Sequence, residues 1–143
     1  FMQQTQDIFS EVRSLNLPRG SHVVIGGGVL SAHGIRPHQD IDLLVTSELF
    51  GSLPHLGWEE KQIRPDFTVL IKGNAEASAE MITLPNYVPP LALLFTQPDM
   101  IQGVPCMPLA ELIRFKEALG RAKDIQDIAL INAHLSRCSC VQG

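Results

Sequence analysis

The stretch from His22 to Val45 leaves this chain little conformational freedom. It opens with His22-Val-Val-Ile25 and breaks at Gly26-Gly27-Gly28. A run of small residues then leads to Gly34, and Asp40-Ile41-Asp42 opens a second apolar segment. The outer segments read as strands over 22–25 and 40–46, and the small-residue run as a short helix from Val29 to His33. Side chains alternate between the faces of a strand, so Asp40 and Asp42 point one way while Ile41 and Leu43 point into a core. Two carboxylates that close raise each other's pKa or take a cation between them. A divalent ion resolves the conflict, and carboxylate oxygens suit hard Mg2+ or Mn2+.

Gly26-Gly27, a helix, then Asp40-Ile41-Asp42 resembles the signature of the DNA polymerase β superfamily of nucleotidyltransferases. More narrowly, His33-Gly34 and Arg36 resemble the small bacterial members that read Gly-Gly, small helix, His-Gly, Arg-x-Thr-x-Asp-Ile-Asp. His38 stands where those proteins carry Thr, and the segment between Gly34 and Arg36 is one residue short. A second run, Lys116-Glu-Ala-Leu-Gly-Arg121-Ala-Lys-Asp124-Ile-Gln-Asp127, resembles the C-terminal motif of the abortive-infection (type IV toxin) nucleotidyltransferases.

The resemblance implies an α/β (α+β) fold, a short mixed sheet flanked by helices with a C-terminal helical pair. It implies one nucleotidyltransferase-like domain over 1–143, its core at about 20–107 and its terminal helices at about 108–136. The implied reaction is transfer of a nucleoside monophosphate from an NTP to an acceptor hydroxyl. Asp40 and Asp42 would hold Mg2+ (or Mn2+), with Glu80 as third ligand or general base. Gly26 and Gly27 would bind phosphates through the backbone, and Arg36, Lys116 and Arg121 would offset polyphosphate charge. The acceptor stays open between a small molecule, an RNA such as tRNA, and a protein. The toxin-like members imply an antitoxin partner, and a catalytically inactive nucleotide-binding or interaction module is the alternative.

Glu80 enters through a hairpin. Phe67, Val69 and Ile71 alternate with Asp66, Thr68, Leu70 and Lys72, Gly73-Asn74 marks a turn, and a return strand is expected over Ala79–Leu84. Glu80 then faces the same way as Ile82 and Leu84, with Asp66 and Glu76 as alternative third acids. A carboxylate at a solvated strand edge is the plainer reading.

Other side chains carry two readings each. Arg36 either holds a phosphate or pairs with Asp40 or Asp42. His38 either touches the base or ribose or is simply solvated, and His33 packs. Lys116 is the one charge on the stripe Leu109, Leu112, Ile113, Leu119 of a helix begun by Pro108. It either snorkels out or meets phosphates as a point charge. Arg121, Asp124 and Asp127 have the spacing of helical ion pairs, and the following helix is read as apolar at Ile125, Ile128, Ala129 and Ala133.

The remaining chain is scaffold. A helix over 2–17 has its stripe at Ile8, Phe9, Val12 and Leu15 and is stopped by Pro18-Arg19-Gly20. Thr46 caps a short helix, 58–63 forms a strand, 86–105 is a proline-rich loop with a short buried piece, and Val104–Met107 is a short edge strand.

A net charge of −4 argues against a broad basic surface for nucleic acid, though a local basic pocket is compatible with it. No apolar run approaches ~20 residues and no basic-then-apolar leader opens the chain, so neither a membrane span nor export is expected. Three cysteines (Cys106, Cys138, Cys140) imply reduced thiols and a cytoplasmic setting. Cys138-Ser-Cys140 has no second Cys/His pair at zinc spacing. Gly26-x-Gly28-x-x-Ser31, with Glu48 downstream, is a damaged dinucleotide fingerprint. Its third glycine is missing, and the helix is too short for a βαβ crossover.

Overall fold

A computed structural model of the protein describes residues 7–81 and 84–142, the side chains of 139–142 aside. Helix α1 spans Ile8–Ser14. The Asp7 carboxylate accepts from the Phe9 amide at its start, and Ile8, Phe9 and Val12 are buried. Of the expected 2–17 helix, residues 2–6 lie outside the described part. The other end comes early, because Asn16 takes a left-handed backbone (φ 54°) ahead of Pro18.

Strand β1 (His22–Ile25), helix α2 (Gly27–Ala32) and strand β2 (Ile41–Val45) follow the expected order. Thr46 caps α3 (Ser47–Ser52) by accepting from the Leu49 amide, and a 3-10 turn (Leu53–Leu56) closes it. Next come β3 (Glu59–Arg64), β4 (Phe67–Lys72), β5 (Ala75–Ser78), α4 (Leu91–Thr96), β6 (Asp99–Ile101) and β7 (Val104–Cys106). Helices α5 (Leu109–Leu119) and α6 (Ala122–Gln142) end the chain, separated by Gly120.

The strands form one mixed sheet in the order β3-β4-β5-β2-β1-β7-β6. The pairs β2/β5 and β1/β7 are parallel and the others antiparallel. Its centre is apolar on both faces, which is why Leu43, Leu44 and Val45 are all fully buried where strict alternation would expose one. Helix α2 lies so close to β1 that a Cβ on Gly28 would fall 2.8 Å from Val24 Cγ1 and 3.4 Å from Ile8 Cδ1. Gly28→Ala should therefore cost about 1–3 kcal/mol in chemical denaturation. A variant as stable as the parent would mean that α2 can shift outward freely.

Three expectations need correction. The return strand of the hairpin is β5 at Ala75–Ser78, not Ala79–Leu84, because the Gly73-Asn74 turn lets Lys72 pair with Ala75 at once. Glu80 thus sits in a bend beyond the strand, and Ile82 and Thr83 lie outside the described residues. The segment 86–105 is not merely a loop: it carries α4 and β6, and β6 forms the edge while β7 lies inside it. Finally, α6 turns Asp124, Asp127 and Ile131 inward, whereas Ile125 is 62% exposed and Ala129 and Ala133 face out. The helix also runs past the expected end near 136.

Candidate active site

Because β1 and β2 pair with Ile25 opposite Asp42, the turn after β1 is delivered directly beside that aspartate. Gly26 has φ 67°, and a Cβ there would lie 3.1 Å from Asp42 Oδ2. Conformation and space both demand glycine at this point. On the other side of β2, the parallel register sets Asp42 against Glu76 of β5, and neighbours in register share a face. Asp40 stands exposed just ahead of β2.

Asp42 is raised to about 6, first by burial, then by the negative charges of Glu76 and Asp40, with Lys116 and Lys123 pulling the other way. Asp42 is therefore a crowded carboxylate that a cation would relieve. It opens onto a cleft of about 640 Å3 that Gly26, Gly27, Asp40, Glu76, Lys116 and Lys123 also line.

The opposite wall is a chain of ion pairs. Arg36 donates from Nε and Nη2 to Asp127 Oδ1 and Oδ2 at 2.8 and 2.9 Å, and from Nη1 to the Pro37 carbonyl. Its guanidinium lies over the glycine turn, 3.5 Å from where a Gly27 Cβ would be. Lys116 Nζ reaches Asp127 Oδ2 at 2.9 Å and Asp124 Oδ1 at 3.4 Å. Arg121 holds Asp124 through Nε at 2.6 Å, Nη2 at 3.1 Å and its own amide. Lys116, Asp124 and Asp127 are all buried.

This network sets the rotation of α6, since two buried carboxylates facing three cations outweigh an isoleucine left in water. The Arg36 hydrogen bonds, and after them Lys116, draw Asp127 down to about 2. Burial works against Asp124, yet the bonds from Arg121 hold it below its ordinary value.

No family model matches this sequence, and no curated protein matches it. Among solved structures, the chain is similar to the crystal structure of ANT(2")-Ia in complex with adenylyl-2"-tobramycin. The TM-score is 0.51 at 19% identity, over 90% of this chain and 85% of that one. That protein is an aminoglycoside nucleotidyltransferase. The fold is nucleotidyltransferase-like.

Within this nucleotidyltransferase-like fold, Gly26, Gly27, Asp40, Asp42, Glu80, Arg36, Lys116 and Arg121 all border one cleft. Four placements differ from expectation: those of Glu80, Arg36, His38 and Lys116, whose ammonium neither snorkels out nor stands free but is buried between Asp124 and Asp127. Glu76, not Glu80, lies opposite Asp42; the signal for it was the two-residue turn, which leaves no room for a longer connection before β5 pairs. Arg36 pairs with Asp127 rather than with Asp40 or Asp42.

His38 is not solvated: it is buried at the edge of the cleft, bonded through Nδ1 to Ser31 Oγ at 2.8 Å and through Nε2 to Glu11 Oε1. It ties α2 to α1. His33 packs edge-on against His134 at 5.6 Å between ring centroids. Cys106 is buried and its thiol is pushed up to about 12, chiefly by that burial, which makes it unreactive.

Among the described residues no three His, Cys, Asp or Glu side chains form a ready-made metal cage. Mg2+ is more often held by one or two carboxylates, with substrate phosphates and water completing its octahedron. Asp42, with Asp40 and Glu76 beside it, offers that donor chemistry. Among the described residues, no helix is long and apolar enough to cross a membrane.

Proposed function

We propose that the protein is a metal-dependent nucleotidyltransferase that moves a nucleoside monophosphate from an NTP to an acceptor hydroxyl. The observation carrying this reading is the crowded carboxylate of Asp42, beside a glycine turn and opposite Glu76 in a nucleotidyltransferase-like fold. Asp42 and Asp40 would hold Mg2+ or Mn2+, with Glu76 as the third carboxylate. When bound, the ion stabilises charge on the transferring phosphoryl group and activates the acceptor oxygen.

The backbone amides at Gly26 and Gly27 then face the phosphates, and the Arg36 and Lys116 wall opposes them with positive charge. The acceptor oxygen attacks the α-phosphorus, the bond to the bridging oxygen breaks, and pyrophosphate leaves. The acceptor's proton passes to a cleft carboxylate, for which Glu76 is the best placed. The similar solved structure contains an adenylylated small molecule, which favours a small-molecule acceptor here.

Labelled NTPs, Mg2+ and cell extract test the reading. Release of pyrophosphate with label on small solutes is the expected result. Label on RNA or protein would keep the reaction and replace the acceptor, either case bringing an antitoxin-type partner into play. Tight Mg2+–NTP binding without pyrophosphate release would mark an inactive binding module. No NTP binding at any Mg2+ concentration would end the proposal.

A further inference from the structure

Four cations line the cleft: Arg36, Lys116, Arg121 and Lys123. The first three are already engaged. Arg36 is clamped on Asp127, Lys116 is buried between Asp124 and Asp127, and Arg121 is clamped on Asp124. Drawing Lys116 out to a phosphate would strip the buried aspartates of a partner. Lys123 differs on every count. It is exposed in the first turn of α6 and makes no ion pair among the described residues. The acid next to it in sequence, Asp124, is turned away to Arg121 and Lys116.

We propose that Lys123, rather than Lys116, is the side chain that meets the polyphosphate of the nucleotide, while Lys116 is a positioning residue that holds the wall together. This inference rests on the nucleotidyltransferase reading above. Lys123 lines the same cleft as Asp40, Asp42 and Glu76, so its ammonium shares that space with the acidic wall. An ammonium on a flexible four-carbon stem, anchored at the cleft rim, can follow phosphate charge as it shifts from the α-phosphorus to departing pyrophosphate. A clamped guanidinium cannot. The buried pairs keep their geometry throughout, so the rim residue supplies the movable charge and the wall supplies the fixed one.

Calorimetry on the full chain with Mg2+ tests this, using each NTP, its nucleoside, and inorganic tripolyphosphate as probes. Lys123→Ala should weaken NTP and tripolyphosphate by about 10–100-fold, the range of one charge-assisted hydrogen bond. Nucleoside affinity and melting temperature should stay unchanged, and Lys123→Arg should restore most of the loss. Lys116→Met should instead lower the melting temperature. Equal polyphosphate affinity for Lys123→Ala and the parent would overturn the inference while leaving the functional reading intact. Tripolyphosphate binding that depends on Lys123, without binding of any NTP, would sink the functional reading and keep the anion site. A parent that binds neither probe would remove both.

Discussion

Asp42→Asn is expected to abolish nucleotide transfer and, in the absence of metal, to stabilise the protein. The two effects share one cause. Burial and the neighbouring Glu76 and Asp40 raise the carboxyl from 3.8 to about 6. Between those values the folded protein keeps a proton that the unfolded chain has released, so stability falls as pH rises through about 6 and stays lowered above it. Asparagine carries no charge to be crowded. The variant should gain about 1–3 kcal/mol at pH 8 in EDTA, and nothing at a pH below the unfolded value of 3.8. Mg2+ should stabilise the parent and not the variant, and transfer should drop at least about a hundredfold. Urea denaturation at the two pH values, with and without Mg2+, reads all of this. If the variant were no more stable than the parent at pH 8, Asp42 would not be crowded and the case for a cation there would be lost.

The second large effect belongs to Asp127. Its removal in Asp127→Ala leaves Lys116 buried with one partner fewer and releases Arg36 from its place over Gly27. Breaking one side of a buried pair costs about 3–5 kcal/mol. Arg36 is 35% exposed at its side chain, so solvent screens its share and most of the loss traces to Lys116. The pH dependence runs opposite to that of Asp42. With the folded carboxyl near 2 and the unfolded one at 3.8, its contribution is present above 3.8 and vanishes as pH falls to about 2. The gap between parent and Asp127→Asn should therefore close in strong acid. The double variant Asp127→Ala with Lys116→Met should recover much of the loss, because the two facing charges disappear together while buried Asp124 keeps its three bonds from Arg121. A single variant within about 0.5 kcal/mol of the parent would mean that the wall is open to water and holds nothing in place.

The two predictions act on opposite walls of one cleft, and the walls were unequally legible in the sequence. The acidic wall was nearly so. A strand ending in Gly26-Gly27 and a strand beginning Asp40-Ile41-Asp42 are local patterns, and their antiparallel pairing puts Asp42 against the turn. The return strand was expected at Ala79–Leu84 and begins four residues earlier, so Glu76 rather than Glu80 stands in register with Asp42. Alternation alone does not say where a return strand begins, whereas the length of the Gly73-Asn74 turn does. The basic wall was misread in its phase. Counting apolar residues turned Ile125 and Ala129 inward, but the buried stripe of α6 starts with Asp124 and Asp127.

His38 shows the same gap on a smaller scale. As a loop histidine it reads as solvated, yet Glu11 and Ser31, on two different helices, fold around it.

By itself, the sequence determined the order of the elements as far as β4 and the placing of acids beside a glycine turn. These depend on periodicity and on turn chemistry within short spans, where each residue's neighbours are known in advance. Tertiary structure alone decided which carboxylate stands in register with Asp42, which face of α6 is buried, and which cleft lysine makes no ion pair among the described residues. Each of those turns on a partner distant in the chain: Arg36 meets Asp127 from 91 positions away, and no local pattern counts that pairing. A buried charge is tolerated only where its counter-charge arrives, so its position is a property of the assembled fold.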